Sequence, residues 1–177
     1  MIRRYIQWMD LLTEKIGRLT MWLVIPMTLV AAYNAVARFT SQPLGMNLSS
    51  NALLEVQWYL FSILFLVGSA YVYKHDSHVR VDVFYSRCPK QVKLWVNFLG
   101  NFLLAIPFCL ITAWACWDST IHSWEVLEMS PDPGGLPRYP IKSLIPLSFL
   151  LLALQSLSLA LRDLLELYQG YDGLDSH

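Results

Sequence analysis

Four long stretches of this chain contain no Asp, Glu, Lys, Arg or His: Leu19–Ala37, Val56–Tyr73, Leu94–Trp117 and Ser143–Leu161, of 19, 18, 24 and 19 residues. The hydrocarbon core of a bilayer is about 30 Å thick and a helix rises about 1.5 Å per residue, so about 20 residues cross it. Backbone N–H and C=O groups find no water there. Single crossings too long for barrel strands satisfy those groups only as helices. The sequence therefore predicts an all-α integral membrane protein with four transmembrane helices, at about 19–39, 54–74, 94–117 and 142–162. Composition agrees: 55% of the 177 residues are hydrophobic, too many for an ordinary globular surface. Charges cancel to a formal net of zero, so nothing global points to nucleic acid or to an acidic substrate.

Cations fall unevenly around these spans. Ten of the 13 Lys and Arg residues lie in the amino-terminal segment, in the loop after the second span, or at Arg162, while Arg38, Arg138 and Lys142 lie on the other side. The positive-inside rule then puts both termini and the 74–93 loop in the cytoplasm, and the 38–55 and 118–142 loops outside. Residues 1–18 place Ile2, Tyr5, Ile6, Met9, Leu12 and Ile16 at helical spacing with charges between them, as in an amphipathic helix lying in the interface. Ala35-Val36-Ala37 resembles a signal-peptide cleavage site, but a 19-residue core behind a charged helix is too long for one, so an uncleaved first span is expected. Residues 163–177 form an acidic tail with Asp163, Glu166, Asp172 and Asp175.

An ion path or active site in a membrane declares itself through ionisable groups within spans. The span interiors here hold only Asn34, Gln57, Asn97, Asn101 and Gln155 as polar amides, which suit interhelical hydrogen bonds. No catalytic residue is expected. No internal repeat is evident either, unlike carriers built from inverted halves. All four histidines, His75, His78, His122 and His177, lie outside the spans, against the axial ligation that a haem-carrying membrane anchor needs. A haem or quinone electron-transfer anchor remains the alternative. A small exporter using Glu55 as proton carrier is disfavoured by that carboxylate's place at a span mouth.

The run Lys74-His75-Asp76-Ser77-His78-Val79-Arg80-Val81-Asp82 holds two histidines and two aspartates, but no further His or Cys at metal-site spacing, so no metal or other cofactor is expected. A docking cap is the better reading. Cys109 and Cys116 share a helix face seven residues apart and are read, with Cys88, as free thiols. Ser130–Pro140 contains four prolines and Gly134-Gly135, so it is a stiff, turn-rich connector.

The order Glu55, then Trp58-Tyr59-Leu60-Phe61-Ser62-Ile63-Leu64-Phe65-Leu66-Val67-Gly68-Ser69-Ala70, then His78-Val79-Arg80-Val81-Asp82, resembles the second-helix signature of DctQ-type small permease subunits of TRAP (tripartite ATP-independent periplasmic) transporters. Arg38 near the end of the first span matches that pattern as well. The segment from Ser130 to Lys142, with Ile145-Pro146 and Gln155, is similar to the branch labelled for mannitol and chloroaromatic compounds. The likeness runs from about Arg18 to Arg162.

The resemblance implies a multi-pass protein of the bacterial inner membrane, not an enzyme. Its implied partners are a large permease subunit, a periplasmic solute-binding protein and membrane lipid, in sodium-coupled uptake of an organic acid or related solute. The family places substrate and sodium sites on the large subunit. For this chain the expectation is that Arg38, Glu55, Trp58, His78, Arg80 and Asp82 contact that subunit or lock the fold. Asp132, Gly134, Gly135 and Arg138 are expected on the outer surface near the binding protein.

Overall fold

The structure, a computed structural model, describes residues 1–44, 50–75, 85 and 87–172. Every regular element among them is helical: α1 (Ile2–Met21), α2 (Val24–Leu44), α3 (Asn51–Lys74), α4 (Lys90–Leu99), a π-helical segment (Gly100–Ala105), α5 (Ile106–Glu125) and α6 (Tyr139–Asp172). Four stretches of helix are long and apolar enough to cross a membrane, as the charge-free segments required: Ile2–Ser41, Asn51–Lys74, Lys90–Glu125 and Tyr139–Tyr168.

Breaks between helices follow from prolines. Pro26 has no N–H to give the carbonyl of Trp22, and the chain turns at Trp22–Leu23 between α1 and α2. Pro107 likewise cannot bond the carbonyl of Leu103, and the helix widens into its π-helical turn just before it. The third crossing nevertheless stays one unbroken rod. α3 starts at Ser50, whose hydroxyl accepts the Ala52 amide at 3.2 Å, an N-cap that satisfies one of the orphan donors of the first turn.

The spans pack as an open row. α2 lies on α3, α3 on α6, and α6 on α5, without extensive packing of α2 on α6 or α3 on α5 among the described residues. α6 is the hub: 39% of its apolar window is buried, against 6% for α3. Apart from Ile141 and Pro146, its buried positions are small or polar: Ser148, Ala153, Gln155, Ser156, Ser158 and Ala160. Small side chains let helix backbones approach, and in lipid that close packing, rather than hydrophobicity, holds helices together. The long apolar side chains point outward instead, for example Leu29, Tyr33, Val36 and Phe39 along α2.

α1 lies against both α3 and α6. Its buried seam is Ile6, Met9, Thr13, Gly17 and Thr20, while Ile2, Trp8 and Leu11 are exposed. The seam is thus offset toward the small residues, because Gly17 sits directly beneath the ring of Tyr71: a Cβ there would lie 2.2 Å from Cδ2 of that ring. The row has two ends, a terminal face near Lys74, α1 and the start of α4, and a loop face where α3 begins and α5 turns into α6.

Candidate functional site

Polar side chains concentrate in two layers, one on each face. On the loop face the organising group is Glu55, in the first turns of α3 and only 3% exposed. One carboxylate oxygen accepts the hydroxyl of Ser130 and the other the backbone amide of Leu136. The loop between α5 and α6 is shaped to meet it. Its arms pair at Met129 and Pro137, the Ser130 amide donates to the Leu136 carbonyl at 3.1 Å, and the Gly135 amide to the Asp132 carbonyl at 3.0 Å.

Gly134 takes φ +73°, the left-handed region that glycine enters without cost. At Gly135 a Cβ would lie 2.5 Å from Ser130 Cβ and 2.7 Å from a Glu55 carboxylate oxygen, so the hairpin and the carboxylate meet this closely only over glycine. Two further bonds tie α3 to the loop. The Tyr59 hydroxyl donates to the Pro137 carbonyl, and Asn51 Nδ2 to the Pro133 carbonyl at 3.1 Å.

A second carboxylate fixes the base of the hairpin. Glu128 receives Lys142 and the Ser123 hydroxyl, and the Lys142 ammonium, followed by that hydroxyl, holds its pKa below the ordinary carboxylate value. The Arg138 amide donates to the Glu128 carbonyl at 2.7 Å. Its guanidinium acts electrostatically on both Glu55 and Glu128, yet Arg138 Nε is buried without an acceptor among the described residues. Arg138 also lines a groove of about 310 Å³ with Trp58, Ser62, Leu66 and Ile145.

The terminal face carries the complementary layer. Asp10 accepts from Arg162 and, at 3.3 Å, from Gln155 Nε2. Lys74 donates to the Asp10 carbonyl at 3.0 Å and to Glu14 at 2.8 Å, and Glu14 also accepts from Arg18 at 3.1 Å. The Thr13 hydroxyl donates to Gln155 Oε1 at 2.7 Å. Beside this layer the Tyr73 hydroxyl donates to Asn101 at 2.5 Å. These contacts clamp α1 across α3 and α6. They do not converge on a ligand.

The residues singled out in the sequence are thus distributed unevenly. Glu55, Gly135 and Arg138 come together, with Trp58 beside them and Asp132 and Gly134 at the exposed hairpin tip. Arg38 stands apart, exposed on α2 and without a hydrogen bond or ion pair among the described residues. His78, Arg80 and Asp82 lie outside the described residues. Sequence reasoning missed Asp10, Tyr59 and Ser130 as structural partners. The one usable signal was that Asp10 and Glu14 interrupt an apolar helix beside a cation-ended span. Among the described residues no group of three or more His, Cys, Asp or Glu gathers as a metal site would require.

A family model described as "Tripartite ATP-independent periplasmic transporters, DctQ component" matches residues 27–166. That stretch covers the second and third spans entirely, nearly all of the fourth, most of α2, and the whole loop-face layer. No curated protein matches the chain.

Proposed function

The chain belongs to the DctQ family of tripartite ATP-independent periplasmic transporters and is a multi-pass membrane component of such a transporter; from that premise we propose that it braces a large permease subunit in a bacterial inner membrane. In this reading the large subunit carries the solute and sodium sites, a periplasmic binding protein delivers an organic acid or related solute, and this chain holds the static part of the carrier. The observation that carries it is the open row. Among the described residues the four spans lie side by side, no Asp, Glu, Lys, Arg or His falls in the middle of any span, and the long apolar side chains face outward where lipid or another membrane protein covers them.

The orientation with both termini in the cytoplasm is supported by the cation asymmetry, and it sets the rigid hairpin on the periplasmic side. There Asp132, Gly134, Gly135 and Arg138 form the surface offered to the binding protein. Arg38, Trp58, His78, Arg80 and Asp82 are proposed as contacts with the large subunit, whereas Glu55 acts indirectly by holding the hairpin. The sequence from Ser130 to Lys142 supports placement in the mannitol and chloroaromatic branch. No observation favours an electron-transfer anchor.

Co-expression of this chain, tagged, with a large permease subunit tests the reading. Stable co-purification through size-exclusion chromatography is expected. A large subunit that folds and transports at full rate without this chain would contradict the bracing role.

A further inference from the structure

The two polar layers fix the depth of the third crossing differently from its charge-free stretch. On the terminal face the layer meets this rod at Asn101, bonded to Tyr73 beside Lys74. On the loop face it meets the rod at Trp124, whose indole N–H donates to the Ser143 hydroxyl at 2.7 Å next to Lys142. The 23 residue steps from one to the other span about 34 Å of helix, close to the roughly 30 Å of hydrocarbon. Asp118 lies six residues, about 9 Å, below Trp124, hence several ångströms within the hydrocarbon.

Nothing among the described residues shelters it. Asp118 is exposed and makes no hydrogen bond or ion pair among the described residues. Cα–Cβ bonds tilt toward a helix's N-terminus, and α5 runs toward the loop face, so the carboxylate leans into the membrane rather than up to water. Its side chain is too short to snorkel as lysine does. An ionisable group so placed is costly in lipid and calls for a partner.

The stripe around it indicates what that partner is. Asp118, His122 and Glu125 follow one another on one exposed face of α5, continuing downward through Trp114 (77% exposed) and Ile111 (64%). The face is apolar in its lower part and polar above, where His122 Nδ1 lies 3.7 Å from the Glu125 carboxylate and Asp118 is left as the carboxylate without a partner among the described residues. We propose, building on the bracing role, that this face of α5 docks a transmembrane helix of the large permease subunit and that Asp118 pairs with a Lys or Arg on that helix. A soluble binding protein cannot reach a group at this depth, and the Asp118 carboxylate complements a cation.

The test uses the complex of tagged chain and large permease, comparing wild type with D118N and D118K by retention of the permease on size-exclusion chromatography. Retention is expected to weaken by about tenfold in D118N and further in D118K, while the melting temperature of the chain purified alone stays unchanged. Equal retention in wild type and both variants overturns the proposal. So does a wild-type chain that self-associates through Asp118 and the exposed Arg38 of a second copy, seen as a dimer abolished by D118N. Failure of the wild-type chain to retain any permease refutes the bracing role itself and is a different result from either.

Discussion

Glu55 and Ser130, 75 positions apart in the chain, share a hydrogen bond that turns the connector between α5 and α6 into a fixed cap over the start of α3. Because Leu136 occupies the second carboxylate oxygen, the cap is held at both arms of its hairpin. Glu55→Ala leaves both donors without their acceptor, and amide exchange in residues 129–137 is expected to accelerate at least about tenfold. Glu55→Gln, which keeps an acceptor oxygen, should show a smaller change. Hydrogen-exchange mass spectrometry in detergent reads both; unaltered exchange in the alanine variant would show that the carboxylate does not hold the cap.

The two adjacent glycines serve different purposes and should respond differently to alanine. Gly134 has a left-handed backbone but open space around it, so Gly134→Ala is expected to cost only about 1–2 kcal/mol. Gly135 has no room, since Ser130 and Glu55 stand where the methyl would go. Gly135→Ala should therefore lower the thermal midpoint more than Gly134→Ala, and the reverse order would contradict the geometry.

α1 is seated through Gly17 and Gln155. Gln155→Leu removes the acceptor of Thr13 and a donor to Asp10, at an expected cost of about 0.6–2 kcal/mol. Gly17→Leu forces the Tyr71 ring aside and should part α1 from α3. A cysteine pair at Thr20 and Gly68, whose side-chain positions face one another at 3.7 Å, should cross-link readily in the parent and poorly once Gly17→Leu is added.

Acid should loosen the base of the cap. Hydrogen bonds from Lys142 and then Ser123 depress the pKa of Glu128 in the folded state, so its stabilisation is complete above the unfolded value of about 4.3. It is lost as pH falls from there through the lower folded value. Thermal midpoints measured from pH 7 down to about 3 should drop less steeply for Glu128→Gln than for the parent. Parallel profiles would mean that Glu128 is not coupled to the fold.

How much of this was legible beforehand follows from what a charge-free stretch reports. Ionised groups are costly in lipid, so Leu19–Ala37 and its three counterparts mark that the chain crosses there irrespective of packing, though not the depth of each residue. The same property hides the packing. Apolar residues face lipid as readily as protein, so the periodicity of Ile2, Tyr5, Ile6, Met9, Leu12 and Ile16 caught the buried Ile6 and Met9 but did not reveal that the seam continues through Thr13, Gly17 and Thr20. Pairing Glu55 with Ser130 was illegible for another reason: neither residue's local sequence encodes a contact made only after the fourth span packs on the second. The depth of Asp118 was hidden too, because it depends on where Asn101 and Trp124 meet other helices.

Solute flux in proteoliposomes tests the central claim most directly. Vesicles holding this chain alone, under an inward sodium gradient and with the solute-loaded binding protein outside, should show no uptake above that of empty vesicles. Adding the large permease subunit should produce it. Uptake by this chain alone would contradict the account, since a row of four helices with no Asp, Glu, Lys, Arg or His in the middle of any span would then be carrying cargo unaided.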